Sequence, residues 1–260
     1  MKVRLDKLLV DRGLAASRER AQALVLAGKI LVDRQKATKP GTAVETEAAL
    51  RLLGEDLPYV SRGGIKLAAA LDHWKIAVQG RCCMDVGAST GGFTDCLLQR
   101  GAAGVLAIDT GYGQMDYRLR QDSRVRLLER TNARYLRASD VKARIDVVVM
   151  DVSFISATLV LPAVWGAVRE AGGEPPPGRE VVVLVKPQFE AGREYVGKGG
   201  IVRDPAAHQL AVAKVSSCLR GLGANSLECL ESPILGMEGN REFLLYAAFE
   251  PGEKGIARED

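Results

Sequence analysis

The sequence predicts an α/β protein with a seven-stranded, mostly parallel sheet and an antiparallel edge, preceded by a small α+β domain. Two observations carry this prediction. Beyond about residue 59, short apolar runs rich in Val and Ile alternate with helical or loop segments, which is typical of a parallel sheet covered on both faces. Residues 1–40 lack this alternation and hold ten Lys and Arg against four Asp and Glu, a net charge of +6 in a chain whose total is +4.

The composition limits the classes of protein and site that the chain can represent. Its 260 residues are 47% hydrophobic and 26% charged, as in globular proteins with a sizeable core. The five cysteines form no CxxC pair and only two histidines occur, so we expect no metal site, no disulfide framework and a cytoplasmic location. The longest uncharged stretch, residues 152–168, is 17 residues long and contains Pro162 and Gly166. A membrane span needs ~18–20 apolar residues, so we expect no membrane association.

The basic N-terminal region predicts two helices and a strand. The leucine spacing over residues 5–9 indicates an amphipathic helix that ends at Gly13. Ser17 is a good N-cap for a second helix over residues 18–27, and residues 30–32 form an apolar strand. The polar face of these elements concentrates positive charge, which attracts phosphate backbones but also suits a plain solvated surface.

A resemblance favours RNA binding for this region. The segment Ser17-Arg18-Glu19-Arg20-Ala21, followed by residues 24–32, resembles the small αL RNA-binding module of a ribosomal small-subunit protein and of many pseudouridine synthases. That module usually continues with Asn-Gly or Asp-Gly, where this chain has Asp33-Arg34. The resemblance implies RNA contacts from Lys7, Arg18, Arg20 and Lys29.

The pattern weakens between residues 39 and 58, where we place the domain junction. The strands predicted beyond it cover residues 82–86, 105–108, 125–128, 145–150 and 181–185. An amphipathic helix over residues 205–219 leads to two further strand candidates, 226–230 and 243–249, which can pair antiparallel at one edge. Seven strands in this arrangement suit a Rossmann-like methyltransferase sheet better than the six strands of a dinucleotide-binding fold.

Charged residues recur at the predicted strand ends. Four of the five core strands end in Asp85, Asp109, Asp151 and Lys186. Ligands of open α/β sheets bind outside the carboxyl ends of the strands. One such charge could simply reach water, but four on the same edge predict an active site there.

The loop after the first core strand has the composition of a cofactor loop. It lacks the spacing G-x-G-x-x-G and the Lys-Ser/Thr of a nucleotide P-loop. It resembles instead the first S-adenosylmethionine motif. We therefore expect cofactor contacts from the residues Asp85, Gly87, Ala88, Ser89, Thr90, Gly91, Gly92 and Phe93. Asp109 is placed to bind the ribose hydroxyls, and Asn132 and Ala133 to border the adenine.

The reactive groups occur in a characteristic order. Lys66, Asp151, Lys186 and Glu242 resemble the tetrad of the FtsJ-type RNA ribose 2′-O-methyltransferases. Longer phrases are similar to the TlyA, or hemolysin-A-like, family: residues 59–67, 85–95, 151–156 and 186–190. The resemblance implies an RNA-binding domain and linker over residues 1–58, a methyltransferase domain over 59–252 and a tail over 253–260. It also implies methyl transfer from S-adenosylmethionine to a ribose 2′-hydroxyl, of cytidine, in ribosomal RNA or ribosomal subunits.

Lysine chemistry and a long loop complete the predicted site. A ribose hydroxyl needs a base to accept its proton. Burial and a second ammonium group nearby lower the pKa of a lysine, so Lys186 is the candidate base. Neighbouring carboxylates raise that pKa and oppose this effect. The loop over residues 188–204 is either an RNA clamp or merely mobile. Its candidate RNA contacts are Arg193 and Lys198. Arg62, which precedes the first helix of this domain, is a further candidate.

Three other functions are compatible with parts of the sequence. A non-catalytic RNA-binding or ribosome-assembly factor would keep the fold without the tetrad, which is intact here. A membrane-lytic protein would follow the family's hemolysin label, but no membrane segment supports it. A nicotinamide-dependent dehydrogenase is disfavoured by the glycine spacing.

Overall fold

The protein is represented by a computed structural model that describes residues 2–15, 17–53, 57–171, 178–236 and 238–249. The chain divides after Pro58 into two compact units, Met1–Pro58 and Tyr59–Asp260. The predicted C-terminal tail, residues 253–260, lies outside the described residues.

The N-terminal unit combines two helices with two small antiparallel sheets. The helices are α1 (Leu5–Asp11) and α2 (Arg18–Leu26), close to the bounds that the sequence predicts. The strands are β1 (Lys2–Arg4), β2 (Ile30–Val32), β3 (Gln35–Lys36), β4 (Ala43–Glu45) and β5 (Leu50–Leu52). Strand β1 pairs with β4, and β2 lies between β3 and β5. The region that the sequence pattern leaves without structure therefore supplies two strands, β4 and β5.

The turn between β2 and β3 keeps its tight geometry without glycine. Asp33 and Arg34 both have positive φ, 48° and 72°, as a type I′ hairpin turn requires. The Asp33 carboxylate accepts a hydrogen bond from the Ala49 backbone N–H at 2.9 Å, which holds the turn against the neighbouring segment. Asp tolerates the left-handed region better than most residues. The departure from the usual Asn-Gly is therefore compatible with a tight hairpin.

The second unit is built on one seven-stranded sheet. Its strands are β6 (Cys82–Val86), β7 (Gly104–Ile108), β8 (Val125–Leu128), β9 (Val147–Met150), β10 (Arg179–Val185), β11 (Ser226–Glu231) and β12 (Phe243–Phe249). Their order is β11-β12-β10-β9-β6-β7-β8. Strands β8, β7, β6, β9 and β10 run parallel, while β12 is antiparallel to both β10 and β11. This confirms the predicted mostly parallel sheet with an antiparallel edge.

Helices cover both faces of this sheet. They are α3 (Gly63–His73), α4 (Gly92–Gln99), α5 (Tyr117–Gln121), α6 (Ala138–Val141), α7 (Leu161–Ala171), α8 (Pro187–Glu190) and α9 (Pro205–Gly221). Alternate residues of one strand belong to different apolar layers: Cys83 packs with α3 and α4, whereas Met84 packs with α7. Both faces of the central strands are therefore buried, which explains their unbroken apolar sequences.

The strand order places a crevice at the centre of the sheet. The chain runs from β6 outward through β7 and β8, and then returns to the other side of β6 to form β9 and β10. The direction of winding therefore changes between β6 and β9, and ligands of open α/β sheets bind at such a point, outside the carboxyl ends of the strands. Across the parts of the chain that the structure describes, no helix has the length and apolar content to cross a membrane.

Candidate active site

Two neighbouring cavities open at the carboxyl ends of the central strands. The first has a volume of about 500 Å³ and the second of about 590 Å³. Both volumes fall within the range of about 300–1,000 Å³ that is usual for small-molecule sites. The cavities share five lining residues, which are Gly87, Ser89, Asp151, Ser153 and Phe154. A ligand group in one cavity therefore borders the other.

Asp109 is the acidic group of the first cavity. It follows β7, and its carboxylate accepts hydrogen bonds from the backbone N–H of Ser89 at 2.8 Å and of Gly111 at 2.6 Å. These bonds fix the orientation of the carboxylate and leave further lone pairs free to accept from hydroxyl groups. The first cavity is also lined by Gly87, Ser89, Asn132 and Ala133, so five of the predicted cofactor residues meet there.

The glycine loop requires its glycine at Gly87. This residue has a φ of +88°, and a Cβ there would lie 2.3 Å from the Asp151 backbone oxygen. The contact arises because Val86 and Met150 are paired in register on β6 and β9, so that the residues after them meet at the sheet edge. Without a side chain, the loop packs directly against the exit of β9. The loop residues Ala88, Thr90, Gly92 and Phe93 line the second cavity.

Asp85 and Gly91 line neither cavity. Asp85 lies inside β6, one residue before its end, and its side chain is fully buried, which corrects the prediction that it ends the strand. One carboxylate oxygen accepts a hydrogen bond from the Thr94 hydroxyl at 2.6 Å, and the other has no partner among the described residues. Desolvation raises the pKa of Asp85 to about 7, against the opposing effect of the Thr94 hydrogen bond. Asp85 therefore supports the loop from within the sheet.

The raised pKa of Asp85 predicts a pH-dependent stability. A folded state with the higher pKa binds the proton more tightly, so the free energy of unfolding falls as pH rises from about 4 to about 7. We expect Asp85→Asn to remove this dependence. Between pH 5 and pH 8, wild type should lose about 2.5 kcal/mol relative to the variant.

Urea unfolding of both proteins across this pH range measures the effect. All other titrating groups are common to wild type and variant, so the difference between the two curves isolates Asp85. A difference that stays constant from pH 5 to pH 8 would contradict the prediction.

The four reactive residues line the second cavity together. Lys66 Nζ lies 2.5 Å from Glu242 Oε2, and both side chains are buried, with exposed fractions of 9% and 4%. Lys186 Nζ lies 2.5 Å from Asp151 Oδ1. Four side chains from distant parts of the chain thus form two ion pairs on the wall of one cavity.

The sheet register brings these residues to one edge. Val185 of β10 pairs with Phe243 of β12. Lys186, which follows β10, and Glu242, which precedes antiparallel β12, therefore stand side by side beyond the last rung. Lys66 reaches Glu242 from the first turn of α3. All four groups therefore stand at a strand end or in a helix turn, where side chains are positioned more precisely than on loops.

Two residues without a predicted role also belong to the site. The Ser153 hydroxyl accepts a hydrogen bond from Lys186 Nζ at 2.7 Å, so Lys186 is held by Asp151 and Ser153 at once. Phe154 has a positive φ of 64° and an exposed fraction of 92%, and its ring lies 5.4 Å from that of Phe189. A large aromatic side chain held exposed by left-handed backbone is unusual. The sequence signal for both residues was their place in the family-like phrase over residues 151–156.

Comparisons with known proteins agree with this site. The model of the FtsJ-like methyltransferase family matches residues 59–249, and that of the S4 domain matches residues 3–50. A Mycobacterium tuberculosis relative is 48% identical over 94% of this chain and 89% of its own; it is named 16S/23S rRNA (cytidine-2′-O)-methyltransferase TlyA.

The chain belongs to the TlyA family of FtsJ-like methyltransferases.

Other relatives of this TlyA-family protein carry a different label. Hemolysin A of Brachyspira hyodysenteriae is 37% identical over 94% of this chain and 99% of its own. A solved protein of Streptococcus thermophilus with a provisional hemolysin label is 40% identical, with a TM-score of 0.69 over 96% of this chain and 89% of that one. The two labels therefore occur on proteins of one fold.

In the S4 domain of this TlyA-family chain, one buried carboxylate holds two arginine side chains in position. The buried Asp6 carboxylate accepts hydrogen bonds from Arg4 at 2.7 Å, Arg18 at 3.3 Å and Gln22 at 3.0 Å. The arginine bonds hold the pKa of Asp6 well below its usual range. Arg4 was not among the predicted RNA contacts, although it shares this anchor with Arg18. Of the other predicted contacts, the structure exposes Lys7 and half-buries Arg20 and Lys29.

The remaining predicted RNA contacts are Arg62, Arg193 and Lys198, of which Arg62 lines the second cavity. Arg62 is exposed. Arg193 and Lys198 are exposed on the 188–204 loop, each in a single 3₁₀ turn. Asn240 holds the end of this loop: its side chain accepts from the Val202 N–H and donates to the Gly200 carbonyl, both at 2.9 Å. The loop is thus anchored two residues from Glu242.

Glu190 stabilises the segment that carries Ser153 and Phe154. Its buried carboxylate accepts hydrogen bonds from the Ser156 hydroxyl at 2.5 Å and the Ala157 N–H at 2.6 Å, and Lys214 lies 3.5 Å away. Because Glu190 is on α8, directly after Lys186, it ties the segment after β9 to the one after β10. Glu190 therefore helps to fix the distance between Asp151 and Lys186.

Proposed function

We propose that this protein transfers a methyl group from S-adenosylmethionine to the ribose 2′-hydroxyl of cytidine in ribosomal RNA. The observation that carries the proposal is the pair of ion pairs, Lys66–Glu242 and Lys186–Asp151, on the wall of one cavity beside the Asp109 cavity. The name of the M. tuberculosis relative supports the substrate. Ribosomal RNA as substrate in turn favours a cytoplasmic location.

The residues of the first cavity fit this cofactor. Asp109 offers carboxylate oxygens to the ribose hydroxyls, and the apolar walls at Ile108, Ala133 and Val160 suit an adenine ring. The glycine loop leaves room beside Asp151 for the methionine part. When bound, S-adenosylmethionine supplies an electrophilic methyl group on a sulfonium centre.

The chain's own residues orient the ribose and manage its proton. A hydroxyl placed in the second cavity faces Lys186, which is the group placed to accept its proton as the oxygen attacks. Asp151 then neutralises the ammonium that forms, and Ser153 holds the nitrogen in position. Lys66 and Glu242 form the neighbouring part of the cavity wall. Positioning of the ribose supplies much of the acceleration, because attack on the methyl carbon must be in line.

The RNA contacts follow from the charge around the second cavity. Arg62 provides a cation in its wall, Arg193 and Lys198 are exposed on the loop that follows Gln188, and Phe154 offers an aromatic face to an unstacked base. The S4 domain adds Arg4 and Arg18 for phosphate contacts. The S4 domain would thus bind the phosphates of the RNA, and the methyltransferase domain would orient a base by stacking.

Methyl transfer to purified ribosomal RNA tests the proposal. Labelled S-adenosylmethionine should deliver methyl groups to ribosomal RNA, with protection of the modified ribose from alkaline cleavage at cytidines. Glu242→Gln should bind the RNA without methylating it. RNA binding without methyl incorporation by the wild-type protein would favour a non-catalytic assembly factor, and methylation of a base would overturn the ribose assignment.

A further inference from the structure

The rim of the first cavity carries two exposed tyrosines, each beside an arginine. Tyr112 and Tyr135 have exposed fractions of 65% and 69%. The Arg130 guanidinium lies 4.2 Å from the centre of the Tyr112 ring, and that of Arg134 lies 5.7 Å from the Tyr135 ring. We call these four residues the Tyr–Arg rim. Exposed aromatic rings combined with cationic side chains are the groups with which proteins bind single-stranded nucleic acid.

The rim arginines differ from other arginines of the same region. Arg120 is paired with Glu129 and Arg124 with Asp122. Within the described part of the chain, Arg130 and Arg134 make no ion pair, and both are exposed. Residues 110–142 hold eight Lys and Arg against four Asp and Glu, a local net charge of +4. Two cations that make no ion pair with the described residues therefore lie beside the exposed aromatic rings.

Backbone contacts place the rim at the mouth of the first cavity. The Arg130 N–H donates to the Gly111 carbonyl at 3.0 Å, which joins the segments after β7 and β8. Tyr112, Arg130 and Arg134 each have a chain neighbour in the cavity wall, which is Gly111, Thr131 and Ala133 respectively, and Tyr135 follows Arg134. The rim is thus distinct from Arg62, which lines the second cavity.

We propose that the Tyr–Arg rim is a second RNA-binding surface, which holds unpaired nucleotides next to the methylated one. This inference rests on the proposed function. Bases stack on the free faces of the two tyrosines, while the guanidinium groups contact the phosphates. RNA fits better than an acidic protein, because an acidic surface would need the charges but not the exposed rings. The RNA strand then crosses both cavity mouths, and the chemistry takes place where they meet.

The test compares two double variants of the full chain that change the net charge equally. Arg130→Gln/Arg134→Gln neutralises the rim, and Arg169→Gln/Arg220→Gln removes two exposed arginines from α7 and α9. Binding to purified ribosomal RNA is measured at several salt concentrations. We expect the rim variant to raise Kd about tenfold and to reduce the salt slope by about 1.4, as for two lost phosphate contacts on single strands. The control should change neither.

A third variant, Tyr112→Ala/Tyr135→Ala, tests stacking without changing charge. Its Kd for RNA should rise about tenfold with an unchanged salt slope. Calorimetry with S-adenosylmethionine should give the same affinity for wild type and all variants. Weakened cofactor binding with unchanged RNA binding would mean that the rim covers the cofactor, and no change in either affinity would also overturn the inference.

The two proposals fail differently. If wild type methylates ribosomal RNA and the rim variants bind it normally, the rim inference fails and the proposed function stands. If wild type neither binds nor methylates ribosomal RNA, the proposed function itself fails.

Discussion

Lys186→Ala is expected to lower the rate of methyl transfer by about 10²–10⁴-fold, the range for removal of a general base. The amine sits at the end of β10, held by Asp151 and Ser153, so no neighbouring side chain can take its place without moving the strand. Lys186 lines the second cavity but not the first. The affinity for S-adenosylmethionine should therefore stay close to that of wild type.

Single-turnover methylation with saturating ribosomal RNA measures this loss, and calorimetry measures cofactor binding. Lys75→Ala makes the same change at an exposed lysine beyond the end of α3, and should leave the rate unaltered. Ser153→Ala keeps the amine but removes one of its two supports, so its rate should fall between the other two. A Lys186→Ala protein with more than a tenth of the wild-type rate would contradict the assignment of the base.

The central sheet could be predicted because its inner strands are buried on both faces and appear in the sequence as continuous apolar runs. The predicted bounds of β6, β8 and β12 agree with the structure. Strands β4 and β5 were missed for the opposite reason. Each has three residues and faces solvent on one side, so neither produces a periodic signal.

The membership of the site was easier to predict than its internal contacts. The order of Lys66, Asp151, Lys186 and Glu242 identified the four residues, but the sequence did not indicate which lysine meets which carboxylate. That pairing depends on the register between β10 and β12 and on where α3 packs. Asp85 shows the same limit, because its partner Thr94 reaches it only through the fold of the loop between them.

The ion pair between Lys66 and Glu242 predicts a separation of stability from activity. Removing one member of a buried pair leaves the other charge without a partner, which costs about 3–5 kcal/mol. We expect this loss in the free energy of unfolding for both Lys66→Met and Glu242→Leu. Replacing both residues at once removes both charges and restores most of the stability, since a buried pair is often no better than apolar residues of similar volume.

Methyl transfer should not recover in the Lys66→Met/Glu242→Leu protein, because the cavity wall has lost the groups that orient the ribose. Urea unfolding and single-turnover methylation of the three variants give both quantities. The exposed pair Arg100–Asp72 serves as the control, with side chains 36% and 61% exposed, and its removal should cost at most about 1 kcal/mol. A double variant that is stable and methylates ribosomal RNA at the wild-type rate would make the Lys66–Glu242 pair a packing element only. Loss of methyl transfer in a refolded, stable double variant would instead require the charges themselves, because burial and packing are then restored while the chemistry is not.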